Sequence, residues 1–106
     1  MSLMFGTSAL ATEMPVLAKK QDCNVCHDIE KRVVGPAWME VSRKYKNVAK
    51  YTYGGKEYTL EDGLVMKVSK GGSGNWGAMP MPANDPNGSK QAEIRELVKF
   101  VLELAK

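Results

Sequence analysis

The sequence predicts an all-α domain of about four helices, on three observations. Apolar residues recur at helical spacing in several separate segments, each bounded by Ser, Thr, Pro or Gly. The longest pattern closes the chain, where Ile94, Leu97, Val98, Val101, Leu102 and Ala105 follow the i, i+3, i+4, i+7 rule. The third observation is size: 106 residues with a hydrophobic fraction of 43% suit one compact domain.

Taken in order, Met1–Ala11 ends in Ala9-Leu10-Ala11, which fits the small-residue pattern of a signal-peptidase site. The basic start and long apolar core of a full signal are missing. The reading is a clipped export signal, with Met1–Leu3 an expression remnant, against a terminus that carries no message. The domain proper then spans 12–106 and works outside the cytoplasm. No stretch is long enough to span a membrane.

Thr12 is placed to cap a first helix, with Glu13 and Pro15 in its opening turn and Met14, Leu17 and Ala18 at helical spacing. Lys19 and Lys20 fall near its end. After a short charged segment, Gly35-Pro36 opens a second helix expected to run from Pro36 to Asn47. Trp38, Val41 and Tyr45 share one face, and Arg43, Lys44 and Lys46 form a solvated one. Val48–Tyr58 sets Tyr51, Tyr53 and Tyr58 around Gly54-Gly55, which suits a hairpin or a loop equally.

Thr59-Leu60-Glu61-Asp62 reads as a capping box for a third helix to Lys70, with Leu60, Leu64, Val65 and Val68 inward. Gly63 within it costs about 1 kcal/mol relative to Ala, so this helix must lean on packing. Gly71-Gly72 stops it. From Gly71 to Gly88 the composition turns to Gly, Pro, Asn and Met, and a loop this long in a small domain is usually functional. Ser89 is expected to cap the last helix, whose stripe Phe100 and Leu104 widen. The first helix is its natural cover.

Against this scaffold stands Cys23-Asn24-Val25-Cys26-His27, the C-x-x-C-H pattern of c-type haem attachment. Two thiols three positions apart on a helical turn project to one side, where they can form thioether bonds to the two vinyl groups of one porphyrin. The adjacent His27 can then reach the iron, for which His is the common proximal ligand. A thioredoxin-like redox pair wants a βαβ context that is missing here. A structural zinc site wants four ligands, and the chain has two Cys and one His. A Cys23–Cys26 disulfide would close too short a loop to constrain much. A covalent apolar cofactor would also supply interior that a chain of this size lacks. The net charge of +3 falls slightly when two propionates and a ferric centre are counted, which argues against nucleic-acid binding.

His27 is the single histidine, so bis-histidine ligation within one chain is excluded and Lys, Met or an open site remain. Met14, Met39 and Met66 fall in helix patterns, whereas Met79 and Met81 sit in Trp76-Gly77-Ala78-Met79-Pro80-Met81-Pro82. Prolines on both sides stiffen the backbone at Met81, so a thioether held there loses less ordering entropy. Met81 is favoured over Met79.

Taken together, the chain resembles the small monohaem class I bacterial cytochromes c of the c-551/c-552 type. The resemblance covers Thr12 to Lys106. It is carried by Cys23–His27, Val34-Gly35-Pro36-Ala37, Gly74-Asn75-Trp76-Gly77, Pro80-Met81-Pro82 followed by Asn84, and the apolar C-terminal helix. It implies a class I cytochrome c fold, about four helices wrapped around one covalently attached haem c. By resemblance Met81 is the axial thioether and the Pro36 carbonyl accepts from the free ring N–H of His27. Trp76 would reach a haem propionate, with Lys67 a second propionate partner. Asn84 would hold the Met81 sulfur orientation, Val68 would pack on the ring, and Leu17 would meet Phe100 where the terminal helices cross. Core filling is the competing reading for Trp76 and Val68. Two departures stand out: the Tyr-rich Val48–Tyr58 connection is longer than in compact members, and Ala83 stands where a further Pro is common.

With His27 and Met81 both on iron no position is vacant, so the expectation is an electron carrier and not an enzyme. Met ligation and burial both raise the reduction potential. The resemblance implies a monomeric periplasmic shuttle between a quinol-oxidising complex and a terminal oxidase or a reductase such as nitrite reductase. The competing classes are a haem enzyme or gas sensor with a displaceable sixth ligand, and a haem-free C-x-x-C domain.

Overall fold

Helix starts are set either by a local residue, extended, left-handed or capping, or by partners brought from elsewhere in the chain. The computed structural model describes residues 13–73 and 80–105. Pro15 is extended (φ −61°, ψ 149°), so α1 runs only Val16–Lys20, with Lys19 and Lys20 in its last turn where cations suit the helix dipole. The Thr12 cap and the Met1–Ala11 export reading lie outside the described residues. Asp22 then adopts the left-handed conformation (φ 60°), which Asp tolerates, and releases a single new turn, α2 (Cys23–Cys26).

The second predicted helix starts later and ends sooner than Pro36–Asn47. Ala37 is extended (φ −62°, ψ 141°), and α3 spans Trp38–Lys44. Its first amides find acceptors outside the helix: Trp38 N–H donates to Asp28 O and Met39 N–H to Ile29 O, both at 2.9 Å. Glu40 Oε1 accepts from Ala37 N–H at 3.0 Å. The start of α3 is thereby sewn to the chain that follows His27. Asn47, at φ 66°, turns the chain out of it.

The Tyr-rich connection is a hairpin, β1 (Lys50–Tyr53) and β2 (Lys56–Thr59), antiparallel with Tyr51 opposite Tyr58 and Tyr53 opposite Lys56. This two-stranded sheet is the one addition to the expected helical architecture among the described residues. It also explains Gly63. A methyl group there would stand 2.6 Å from Tyr51 Cβ and 2.7 Å from Cδ1, so the missing side chain is the seat of a buried tyrosine. The helix α4 (Leu60–Lys70) is capped as predicted, Thr59 Oγ1 accepting from Asp62 N–H at 3.3 Å, and it stops at Gly71.

The last helix, α5 (Gln91–Glu103), is not capped by Ser89. Its N-cap is Lys90, whose N–H donates to Asp85 Oδ2 at 2.9 Å, while Ser89 Oγ donates to Asn87 Oδ1. The carboxylate of the preceding loop does the capping from a distance. The stripe of α5 divides between two core clusters: Ile94 and Val98 join Leu64, Val65, Tyr45 and Tyr51, while Leu97 and Val101 join Ala18, Ile29 and Trp38. The cover is therefore α4 and α3 as well as α1. Leu17 and Phe100 both pack on the second cluster.

Candidate cofactor site

The single turn α2 carries Cys23 and Cys26, and the backbone then folds back on itself. His27 N–H donates to Cys23 O at 2.9 Å and Gly35 N–H to Cys26 O at 2.8 Å, so the intervening segment closes as a loop beneath the turn. His27 is buried, and its Nδ1 lies 2.7 Å from Pro36 O. A carbonyl can only accept, so Nδ1 carries the proton and Nε2 keeps the lone pair that a metal needs. Burial pushes the imidazole below its ordinary pKa, against the opposing pull of the Pro36 bond. The ring packs at 5.9 Å from Trp38. On its other neighbour the fit is closer: a Cβ on Gly35 would stand 2.6 Å from His27 Cε1.

A second segment contributes through backbone pairing. Gly72 and Met81 exchange two hydrogen bonds, Gly72 N–H to Met81 O at 2.9 Å and Met81 N–H to Gly72 O at 2.8 Å. Asn84 ties the following chain to α4, its N–H donating to Val68 O at 3.1 Å and its Nδ2 to Val68 O and Pro82 O at 3.2 Å. Lys67, on the last turn of α4, has its ammonium pKa lowered by burial.

These two segments line one cleft, open at its mouth and mainly apolar along its walls. Cys23, Cys26, His27, Gly35 and Pro36 lie along it with Lys67, Val68, Met81 and Asn84. Trp76 and Met79 lie outside the described residues. Trp38, Tyr45 and Tyr51, together with apolar residues of α4 and α5, complete the lining. The sequence offered a hairpin around Gly54-Gly55 as one of two readings, and the structure forms it; that the hairpin brings Tyr51 to the cleft depends on the tertiary fold.

Haem fits the donor set. Cys23 and Cys26 are not bonded to one another, and they share a cleft with an Nε2 lone pair and apolar walls. Burial pushes the Cys23 thiol up, the reverse of the activated thiolate a redox C-x-x-C pair requires. Among the described residues no cluster of three or more His, Cys, Asp or Glu could hold a metal ion. No helix there is long and apolar enough to cross a membrane.

No family model matches the chain. Individual relatives do. It is 43% identical over 89 residues to cytochrome c-551 of Allochromatium vinosum, covering 84% of this chain and 83% of that one. It is 39% identical to cytochrome c-552 of Hydrogenobacter thermophilus, covering 93% and 89% respectively. The crystal structure of Nitrosomonas europaea cytochrome c552 superimposes with a TM-score of 0.67 at 34% identity, over 81% of this chain and 93% of that one. Similarity of this extent, across a cleft built as described, makes the chain a member of the cytochrome c-551/c-552 family, an electron carrier and not an enzyme, with one haem c bonded through Cys23 and Cys26.

Proposed function

We propose that this cytochrome is a periplasmic single-electron shuttle with His27 and Met81 as its axial ligands. The observation that carries the reading is that both residues line one cleft although they come from segments 54 positions apart, joined through Gly72 and Pro36 to the α4 and α3 ends. When bound, haem supplies a one-electron Fe(III)/Fe(II) couple. The chain's own task is to hold that couple still and dry. His27 is locked by Pro36 and seated on Gly35, and Met81 is fixed by Gly72, so neither ligand has to reorganise when charge changes.

Val68 supplies apolar wall. Lys67 and Trp76 are the proposed partners of the propionates, Lys67 being one of the residues that line the cleft. Asn84 is the proposed orienting neighbour of the Met81 sulfur, a role that requires one of the two Nδ2 hydrogens now donated to Val68 O and Pro82 O. The domain proper is proposed to be 12–106, with 1–11 the remnant of an export signal or of an added extension. The chain is proposed to work as a monomer, docking briefly over small areas to a quinol-oxidising complex on one side and a terminal oxidase or nitrite reductase on the other.

The test is an optical spectrum of oxidised protein and its variants. Met81→Ala should abolish the weak red band of sulfur-to-ferric-iron charge transfer, and Met79→Ala should keep it. The reverse pattern would transfer the ligand to Met79. Carbon monoxide binding readily to reduced wild-type protein at neutral pH would end the carrier reading in favour of an open haem site.

A further inference from the structure

The hairpin is tied to the ligand loop by one side chain. Tyr53 stands at the end of β1, half-buried, and its hydroxyl donates to Gly71 O at 2.8 Å. Gly71 is the residue that ends α4, with φ 80° and ψ −164°, a conformation that needs glycine. Its backbone lies directly on the ligand segment: a Cβ there would collide with Met81 O and stand 2.9 Å from both Pro82 C and Ala83 N. The next residue, Gly72 (φ 124°), makes the paired hydrogen bonds to Met81.

Two consecutive glycines are the softest joint a backbone has, and Met81 is hung from this one. Nothing in their side chains can hold them, so hydrogen bonds must. Gly71 N–H is held by Lys67 O at 2.8 Å, Gly72 is held by Met81 itself, and the Gly71 carbonyl is held by Tyr53. The hairpin is a firm point to tie to. Two residues before Tyr53, Tyr51 is buried against Gly63 with its ring edge-on to Tyr45 at 5.6 Å.

We propose that Tyr53 is a positioning residue for Met81, acting from the hairpin through the Gly71 carbonyl to slow departure of the thioether from iron. The inference rests on the ligation reading above. It assigns the Tyr-rich hairpin a role in ligand retention.

The test is cyanide binding to the ferric holoprotein, since the anion reaches iron only after Met81 leaves. Tyr53→Phe keeps the ring and removes the donated bond. It should speed cyanide binding about fivefold, the factor expected for one net hydrogen bond, and should weaken the red charge-transfer band at a lower temperature than in wild type. Ser42→Ala removes a strut between α3 and the end of α5, lowering overall stability without touching the hairpin, Gly71 or the cleft lining. It should leave the cyanide rate at the wild-type value. Equal rates in wild type and Tyr53→Phe would overturn the proposal, as would an equal acceleration by Ser42→Ala. If wild type lacks the red band, or Met81→Ala retains it, the ligation reading fails and this proposal falls with it.

Discussion

Replacing Gly35 by Ala is the most direct test of how tightly the histidine is seated. The added Cβ would stand 2.6 Å from His27 Cε1, 3.1 Å from Nδ1 and 3.2 Å from Nε2, over the ring and close to three of its atoms. Ordinary carbon contacts begin near 3.5 Å, so the imidazole has to retreat by roughly 1 Å. The Nδ1 to Pro36 O bond, now 2.7 Å, then passes out of hydrogen-bonding range. Overpacking of this kind costs about 1–3 kcal/mol, and leaving a buried donor without its acceptor costs about 1–3 kcal/mol more. A domain of this size loses at least ~4 °C of melting temperature per kcal/mol, so Gly35→Ala holoprotein should melt at least ~8 °C below wild type. Circular dichroism of the helical signal during heating measures it. A melting point within about 2 °C of wild type would show that the ring has room to spare and that Gly35 is not its seat.

The remaining predictions concern the frame. Ser42 is buried on α3 and serves the end of α5, its Oγ donating to Leu102 O at 3.2 Å and accepting from Ala105 N–H at 2.9 Å. Ser42→Ala should cost about 1–2 kcal/mol in urea unfolding, and an unchanged midpoint would remove this strut from the account. Burial alone would raise the Asp85 pKa, but hydrogen bonds from Gln91, the Lys90 and Ser89 amides and the Ser89 hydroxyl outweigh it and lower it. Its stabilising contribution is therefore complete above the ordinary carboxylate pKa of about 4 and is lost as pH falls below that. Asp85→Asn should flatten the acid side of the stability profile; parallel loss in both proteins would place the acid sensitivity elsewhere.

What the sequence made legible is what local chemistry dictates. Cys23–His27 names its cofactor because thioether spacing and an adjacent imidazole are covalent requirements that no packing can alter. The span and cap of α4 were readable because Thr59 and Gly71 act on their own neighbours. Helix starts were misplaced where distant groups do the work. Asp28 and Ile29 carbonyls receive the first amides of α3, and Asp85 caps α5 in place of Ser89. Gly63 looked like a weakness in the helix because its compensation, the Tyr51 ring, arrives from the hairpin.

In this fold the core and the cofactor site are one surface, and that decides which substitutions can be informative. Trp38, Tyr45, Tyr51, Leu64, Ile94 and Val98 belong to the packed clusters and also line the cleft. Helices of five and four residues are far too short to persist alone, so α1 and α2 exist only by leaning on that surface. Any change to a lining side chain therefore alters folding and haem contact together, and a shifted spectrum or potential in such a variant has two explanations. Tyr53 escapes the ambiguity: it is absent from the lining, and its hydroxyl reaches the site through a backbone carbonyl. Removing one oxygen there leaves the core and the cleft wall as they are, so a faster exchange at iron would report the joint between α4 and the ligand segment alone.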